Sequence, residues 1–195
     1  MKDLYQRIET YNIAGMKPSR VEHTRRVTEM AILLAEQYGV DYHQAKLAAL
    51  LHDIAKPMNK KEALDMLKAH GIGDPYLSRE IHLAHGELGA IIARETFGVE
   101  DEDVLNAVRY HTYGRRGMSL LEKIIFIADY VEEGRDFEGV VEARKLAKQN
   151  LSKAVVFATE QTILFLLKHR GVIHPNALEV RNEWLENGGT FDGNI

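Results

Sequence analysis

Apolar residues recur at intervals of three and four along most of the chain, which is the period of amphipathic α-helices rather than of strands. Capping-box spacings at Ser19, Asn59 and Ser119, and glycines where the periodic segments stop, divide the pattern into helices. The predicted helices span residues 2–12, 19–38, 42–56, 60–70, 75–97, 101–112, 119–132, 140–149, 152–170 and 176–187. The fifth is expected to break near Glu80. The pattern therefore predicts an all-α fold, a helical bundle of about nine or ten helices.

Polar residues occupy five positions where the helical period calls for an apolar side chain. These positions are His23, His52, His85, His111 and Asp129. Asp53 directly follows His52 inside an otherwise apolar run. One such residue is usually a hydrogen-bonded group in the core, whereas six of them on five helical segments are better explained by one shared polar centre. Imidazole and carboxylate groups together are typical ligands of a transition metal, so we expect a metal at that centre.

Composition narrows the class of protein. A chain of 195 residues with 45% hydrophobic and 28% charged residues is expected to form one globular domain. The net charge of -4 and the pI of about 6.1 predict neither a nucleic-acid surface nor a membrane surface. The chain has no cysteine, which excludes disulfides and thiolate metal ligands. We expect a cytoplasmic protein, and its oligomeric state stays open, a homodimer included.

The order His23, His52-Asp53, Asp129 resembles the HD superfamily of metal-dependent phosphohydrolases over most of the chain. More specific segments resemble the bacterial YqeK family, whose members are symmetrical diadenosine tetraphosphate hydrolases. Those segments are residues 111–115, 121–126, 128–129, 134–137 and 173–175. The resemblance implies that residues 1–195 form a single HD-type phosphohydrolase domain.

The resemblance also implies a set of metal ligands, namely His23, His52, Asp53 and Asp129. Two imidazoles and two carboxylates suit iron, manganese, cobalt, nickel or zinc better than calcium or magnesium. An octahedral ion with these four ligands keeps two positions for water and a substrate phosphate. The family implies iron, and the residues themselves leave manganese or another divalent ion open.

His85 and His111 have two alternative roles. Either they bind a second metal that Asp53 bridges, or they contact substrate phosphate beside a single metal and one of them protonates the leaving group. Phosphate contact is the preferred interpretation. Asp53 is expected to orient or deprotonate the attacking water, and Lys56 to offset charge on the transferred phosphoryl group.

Basic residues close to the metal-binding segments are the expected phosphate contacts. Lys56 follows the His-Asp pair by three residues, Arg135 lies in the loop after the last metal-binding aspartate, and Arg20 lies one turn before the first histidine. An arginine can hold two phosphate oxygens at once, which favours Arg135 and Arg20 in this role. Thr112 is expected at the same contact.

The connection before the last helix is expected to form a wall for a nucleobase. Ile173 and Pro175 would supply apolar faces, and His174 and Asn176 would supply polar edges. The alternative is a plain connection in which the proline starts the next helix.

Taken with these residues, the resemblance implies metal-dependent symmetrical hydrolysis of diadenosine tetraphosphate, with ADP as the product. Two alternatives stay open. One is a nucleotidase that acts on small nucleotides or deoxynucleotides, and the other is a regulator that senses nucleotides without catalysis.

Overall fold

The structure is a computed structural model that describes residues 1–190, so residues 191–195 of the expected domain lie outside the described part. Residues 1–190 form eleven α-helices and no β-strand. In chain order, α1 to α11 are Lys2–Gly15, Pro18–Tyr38, Tyr42–Leu51, Lys60–Ala69, Pro75–Arg79, Ile81–Phe97, Glu102–Tyr110, Leu120–Val131, Val140–Gln149, Leu151–Lys168 and Pro175–Glu186. The all-α prediction is confirmed, and the expected break at Glu80 separates α5 from α6. None of the described helices combines the length and apolar character that a membrane-spanning segment needs.

The main difference from the predicted helices concerns the end of the third. A helix to residue 56 was predicted, but α3 ends at Leu51 and His52 is its C-cap. The chain continues in a tighter turn, in which the Lys56 amide donates to the Asp53 carbonyl at 2.9 Å. Pro57 helps to explain the difference, because a proline disfavours helical backbone in the residue before it. The His-Asp pair therefore stands at a helix end rather than within a helix.

The central helix of the bundle is α8, which is apolar on nearly all sides. It packs against α2, α3, α7, α9 and α10, while α2 also packs on α3 and α6 packs on α7. The buried apolar residues of these helices form one continuous cluster. The five helices or helix ends that carry the six polar residues (α2, α3, α6, α7 and α8) therefore surround one region of the core.

A glycine contact lets α6 and α7 approach each other closely. A Cβ atom added to Gly86 would lie 2.4 Å from the carbonyl oxygen of Arg109, a distance that no side chain tolerates. His85 precedes this glycine, and His111 follows the arginine by two residues. The close packing at Gly86 therefore positions the two histidines opposite each other.

Candidate metal centre

Six polar side chains from five helices meet in the core of the bundle. They are His23 on α2, His52 and Asp53 at the end of α3, His85 on α6, His111 at the end of α7, and Asp129 on α8. The four histidines and Asp53 are buried, and Asp129 keeps 23% of its side chain exposed. The centre is thus closed on most sides and opens toward solvent at Asp129.

Asp53 lies in the middle of the centre. Its Oδ2 atom is 3.5 Å from His52 Nε2 and 3.8 Å from His23 Nε2. Its Oδ1 atom is 3.3 Å from His85 Nε2 and 3.7 Å from His111 Nε2. The two oxygens of one carboxylate therefore face two different pairs of histidines.

Two groups of potential metal ligands follow from this arrangement. One comprises His23, His52 and Asp129, and the other comprises Asp53, His85 and His111. Within each group the ligand atoms all lie within 4.8 Å of one another. The structure thus brings together every residue predicted to bind metal, including the two considered for a second ion.

Main-chain carbonyls fix the tautomer of three histidines. Nδ1 of His52, of His85 and of His111 each lies 2.6 to 2.7 Å from the carbonyl oxygen of the residue three positions earlier. A carbonyl can only accept, so Nδ1 carries the proton and Nε2 presents a lone pair toward Asp53. A neutral imidazole with a free Nε2 is the form that binds a metal.

Several close contacts in the centre join two atoms that both present lone pairs, so neither has a hydrogen to donate to the other. His23 Nε2 is 3.1 Å from Asp129 Oδ1, and the buried Nε2 atoms of His23 and His52 have no hydrogen-bond partner in the described structure. Lone pairs that face one another or a carboxylate repel unless a cation lies between them. The donor set therefore fits a divalent metal, and it could hold one.

The protonation states also suit a metal. Burial lowers the pKa of His52 and of His85 to about 4, so both imidazoles are neutral near pH 7. Burial alone would raise the pKa of Asp53, but the groups around the carboxylate outweigh it and hold that pKa well below its usual range. Burial would also raise the pKa of Asp129, and the Arg135 guanidinium is among the groups that hold it below its usual range. Ionised carboxylates and the neutral imidazoles of His52 and His85 are the protonation states that metal ligands need.

Glu132 is a member of the site that the sequence interpretation missed. Its buried carboxylate accepts from His23 Nδ1, with 3.2 Å between Nδ1 and Oε1. The same carboxylate accepts from the Arg26 guanidinium and, at 2.6 Å, from the Gly134 amide. The residue stands three positions after Asp129, so the helical period was the one signal that could have found it. A carboxylate behind a metal-binding imidazole fixes the ring's orientation.

Three basic side chains that the sequence predicts as phosphate contacts reach the carboxylates of the centre. Arg20 NH1 donates to Asp53 Oδ2 at 2.8 Å, and Lys56 Nζ lies 3.9 Å from Asp53 Oδ1. Arg135 NH2 donates to Asp129 Oδ1 at 2.6 Å, and its Nε donates to the Asp129 carbonyl at 2.9 Å. Burial lowers the pKa of Lys56, mainly because the ammonium is partly removed from water. These cations lie where an anionic substrate would approach.

Thr112 joins the centre beside the second pair of histidines. Its hydroxyl lies 3.3 Å from the Nε2 atoms of both His85 and His111, which are themselves 2.9 Å apart. A cavity of about 220 Å³ opens here, and its lining includes Thr112, Asp129 and Arg135. Three predicted phosphate contacts, His111, Thr112 and Arg135, thus line the same opening as the predicted metal ligand Asp129.

The segment 173–176 lies one layer further out. His174 is buried, stacks on Tyr113 with 4.1 Å between ring centroids, and places Nε2 3.1 Å from Asp74 Oδ2. Asn176 donates its side-chain amide to the Gly114 carbonyl at 3.2 Å. Both ring nitrogens of His174 have partners, because Nδ1 also accepts from the main-chain N–H of Asn176. Ile173 and the exposed Pro175 complete the segment, and its role as a nucleobase wall stays a prediction.

Comparisons with known proteins place this geometry in a family. Residues 20–134 match the family model described as "HD domain". The chain is 45% identical over 166 residues to a protein of Halalkalibacterium halodurans named "Bis(5'-nucleosyl)-tetraphosphatase, symmetrical". The match covers 85% of this chain and 89% of that protein. A protein of Bacillus subtilis with the same name is 41% identical over 169 residues, which is 87% of this chain and 90% of that protein.

A solved structure shows the same fold over nearly the whole chain. It is described as a "predicted HD superfamily hydrolase involved in NAD metabolism" from Clostridium acetobutylicum. The TM-score is 0.91 at 39% sequence identity, and the match covers 94% of this chain and 97% of that one.

A helical bundle with a buried histidine–aspartate centre that can hold a divalent metal defines a class of metal-dependent hydrolases. This chain belongs to the HD domain family, whose model matches more than half of its length. The expected kinship with the YqeK-like symmetrical tetraphosphatases is confirmed by relatives of that name at 45% and 41% identity.

Proposed function

We propose that this chain is a metal-dependent hydrolase that splits diadenosine tetraphosphate symmetrically into two ADP. The observation that carries the choice of substrate is the 45% and 41% identity to proteins named for symmetrical tetraphosphatase activity. The centre supports the chemistry, since buried ligand side chains lie beside three cations. We also propose that residues 1–195 act as one HD-type domain and that the protein works in the cytoplasm.

The proposed metal ligands are His23, His52, Asp53 and Asp129. Their two imidazoles and two carboxylates favour a transition metal, with iron first and manganese or another divalent ion next. A bound ion would supply Lewis-acid polarisation of a phosphoryl oxygen and a more acidic water. The free Nε2 atoms of the two histidines and the ionised state of the carboxylates support this assignment.

The reaction breaks the central phosphoanhydride bond. Water attacks one of the two middle phosphorus atoms, and the bond from that atom to the central bridging oxygen breaks. The bridging oxygen leaves with the other half of the substrate and takes up a proton, so both halves end as ADP. Asp53, whose pKa lies well below its usual range, orients the water and accepts a hydrogen bond from it.

Lys56, Arg20 and Arg135 bind the oxygens of the polyphosphate. The transferred phosphoryl group spreads negative charge over its oxygens in the transition state, so positioned cations stabilise that state more than the ground state. Lys56 is the most buried of the three, and a desolvated charge acts more strongly than one in water.

His85, His111 and Thr112 form the proposed contact with the leaving group. The Nε2 atoms of the two histidines are 2.9 Å apart and both Nδ1 atoms already donate to carbonyls, so a proton taken up by the pair, or a bound cation, would bridge the two lone pairs. With a shared proton the pair can protonate the leaving oxygen. With a cation the same geometry becomes a second metal site that Asp53 bridges, and metal stoichiometry separates the two.

Product analysis tests the proposal. Anaerobically purified protein with Fe²⁺ or Mn²⁺ is expected to convert diadenosine tetraphosphate to ADP alone at early time points. Asp53→Ala is expected to lose both the transition metal and the activity, while Asp65→Ala, on an exposed face of α4, keeps both. AMP plus ATP as products would overturn the symmetrical cleavage. Active protein without any transition metal would refute the metal assignment. Nucleotide binding without turnover would favour a regulator that senses nucleotides.

A further inference from the structure

A second cavity lies beside the candidate centre, between the loop that follows α8 and one face of α10. Its volume is about 600 Å³, which is within the range of small-molecule sites. Tyr130 and Phe137 line it on the side of the loop, and Gln161, Phe165 and Lys168 line it on the side of α10. None of the described lining residues belongs to the segment 173–176.

This groove continues directly from the centre. The smaller cavity that contains Asp129 and Arg135 shares three lining residues with it, namely Tyr130, Phe137 and Thr162. A ligand whose phosphates contact Arg135 therefore has this groove as its immediate neighbour.

The groove carries exposed aromatic side chains. Phe137 and Phe165 are 39% and 59% exposed, which is unusual for large apolar rings. Tyr130 meets Phe137 edge to face at a centroid distance of 4.9 Å, and Phe165 stacks on His169 at 4.1 Å. Every nucleobase has a flat face that stacks on such rings. The Gln161 amide in the same lining can exchange hydrogen bonds with the edge of a base.

The substrate of the proposed function carries two nucleosides, one at each end of four phosphates. A single nucleobase wall at 173–176 leaves the second nucleoside without a contact. We infer that the groove between Phe137 and Phe165 is the subsite for the second nucleoside, an inference that rests on the proposed function. Contacts to both nucleosides would hold the middle phosphates at the metal ligands and favour symmetrical cleavage.

The test compares substrates with two nucleosides and with one. Diadenosine tetraphosphate and adenosine 5′-tetraphosphate have the same number of phosphates, so the ratio of their kcat/KM values isolates the second nucleoside. Phe165→Ala is expected to lower this ratio about five- to tenfold, the lower part of the range for a base stacked on an aromatic ring. Phe165→Tyr keeps a ring and is expected to restore most of the ratio. If adenosine tetraphosphate is not turned over, its Ki as a competitor takes the place of its kcat/KM.

Leu167→Ala is the matched control. Leu167 is 62% exposed on the same helix but does not line the groove, so its substitution is expected to keep the wild-type ratio. A Phe165→Ala ratio within twofold of the wild type would overturn the subsite, and so would an equal loss in Leu167→Ala. Light scattering is run on the same samples. A dimer that Phe165→Ala dissociates, with an unchanged ratio, would show instead that a second copy covers the groove.

Failure of the proposed function has a different signature. Wild-type protein that makes no ADP from diadenosine tetraphosphate with added metal would reject the activity itself. Normal wild-type turnover with an unaltered ratio in Phe165→Ala would reject the second subsite alone.

Discussion

Replacing Glu132 by glutamine is expected to weaken metal binding through His23. Glu132 is 2% exposed, and its Oε1 faces His23 Nδ1 at 3.2 Å while its Oε2 accepts from the Gly134 amide at 2.6 Å. Glutamine keeps the shape and one acceptor oxygen but loses the negative charge. The imidazole of His23 then becomes less basic and its orientation less strictly held, so Nε2 becomes a poorer ligand.

The magnitude follows from the contacts. Loss of a carboxylate that supports a metal-binding histidine typically lowers metal affinity roughly 10- to 100-fold. This corresponds to about 1.4–2.7 kcal/mol, which agrees with the roughly 1.5–3 kcal/mol of one charge-assisted hydrogen bond. The fold also loses stability, because Arg26 loses its buried charged partner and keeps only the exposed Glu22 at 3.4 Å. That loss is expected to stay near 1–3 kcal/mol, since Arg26 keeps 22% of its side chain exposed to water.

The assay titrates metal-free protein with Mn²⁺ by calorimetry and measures the thermal midpoint of the same samples. Glu122→Gln is the matched control, because Glu122 is equally buried on α8 and pairs with Arg115 at 2.8 Å, but it contacts none of the candidate ligands. Glu122→Gln is expected to lower the midpoint and keep the wild-type Kd for Mn²⁺. Wild-type affinity in Glu132→Gln, or the same loss of affinity in both variants, would refute the reasoning.

Two further predictions concern the opening and the core of the centre. Arg135→Ala is expected to keep the fold and to lower kcat/KM by roughly ten- to a hundredfold, the effect of one phosphate contact. Arg135→Lys is expected to recover part of this loss. Wild-type kcat/KM in Arg135→Ala would show that Arg135 does not contact the phosphate. For metal-free protein, burial lowers the pKa of His52 and His85 to about 4, so the unfolded chain binds more protons than the folded one between about pH 6.5 and pH 4. Stability is therefore expected to fall as the pH drops through that range, by at most about 2 kcal/mol per histidine at pH 5, and equal urea midpoints at pH 7.5 and pH 5 would contradict this.

Helix periodicity was enough to predict the fold class and the convergence of six polar residues. A polar side chain at an apolar position of a helix must face the core, so the sequence assigned the burial of His23, His85 and His111 without any tertiary information. The end of α3 was predicted wrongly because the apolar run continues past it, and that run outweighed the contrary signal of Pro57.

The position of Asp53 between two pairs of histidines could not be predicted from the sequence. It depends on how α2, α3, α6 and α7 cross, and a linear pattern carries no crossing angles. Glu132 was missed for a related reason. A glutamate at a helix end is usually solvated, and here it is buried because the Arg26 guanidinium and the loop after α8 close over it. The groove at Phe165 likewise depends on the loop after α8 lying beside α10.

Arg135 can donate to the Asp129 carboxylate and still bind a phosphate group. A guanidinium has five N–H donors. Arg135 donates its Nε hydrogen to the Asp129 carbonyl and one NH2 hydrogen to the Asp129 carboxylate. The remaining donors are free to meet phosphate oxygens at the opening of the centre. Lys56 differs because burial already lowers its pKa, so its ammonium gains more than a solvated lysine from an approaching anion. In the proposed function, the charges that compensate Asp53 and Asp129 in the folded chain are therefore also the charges that bind the polyphosphate.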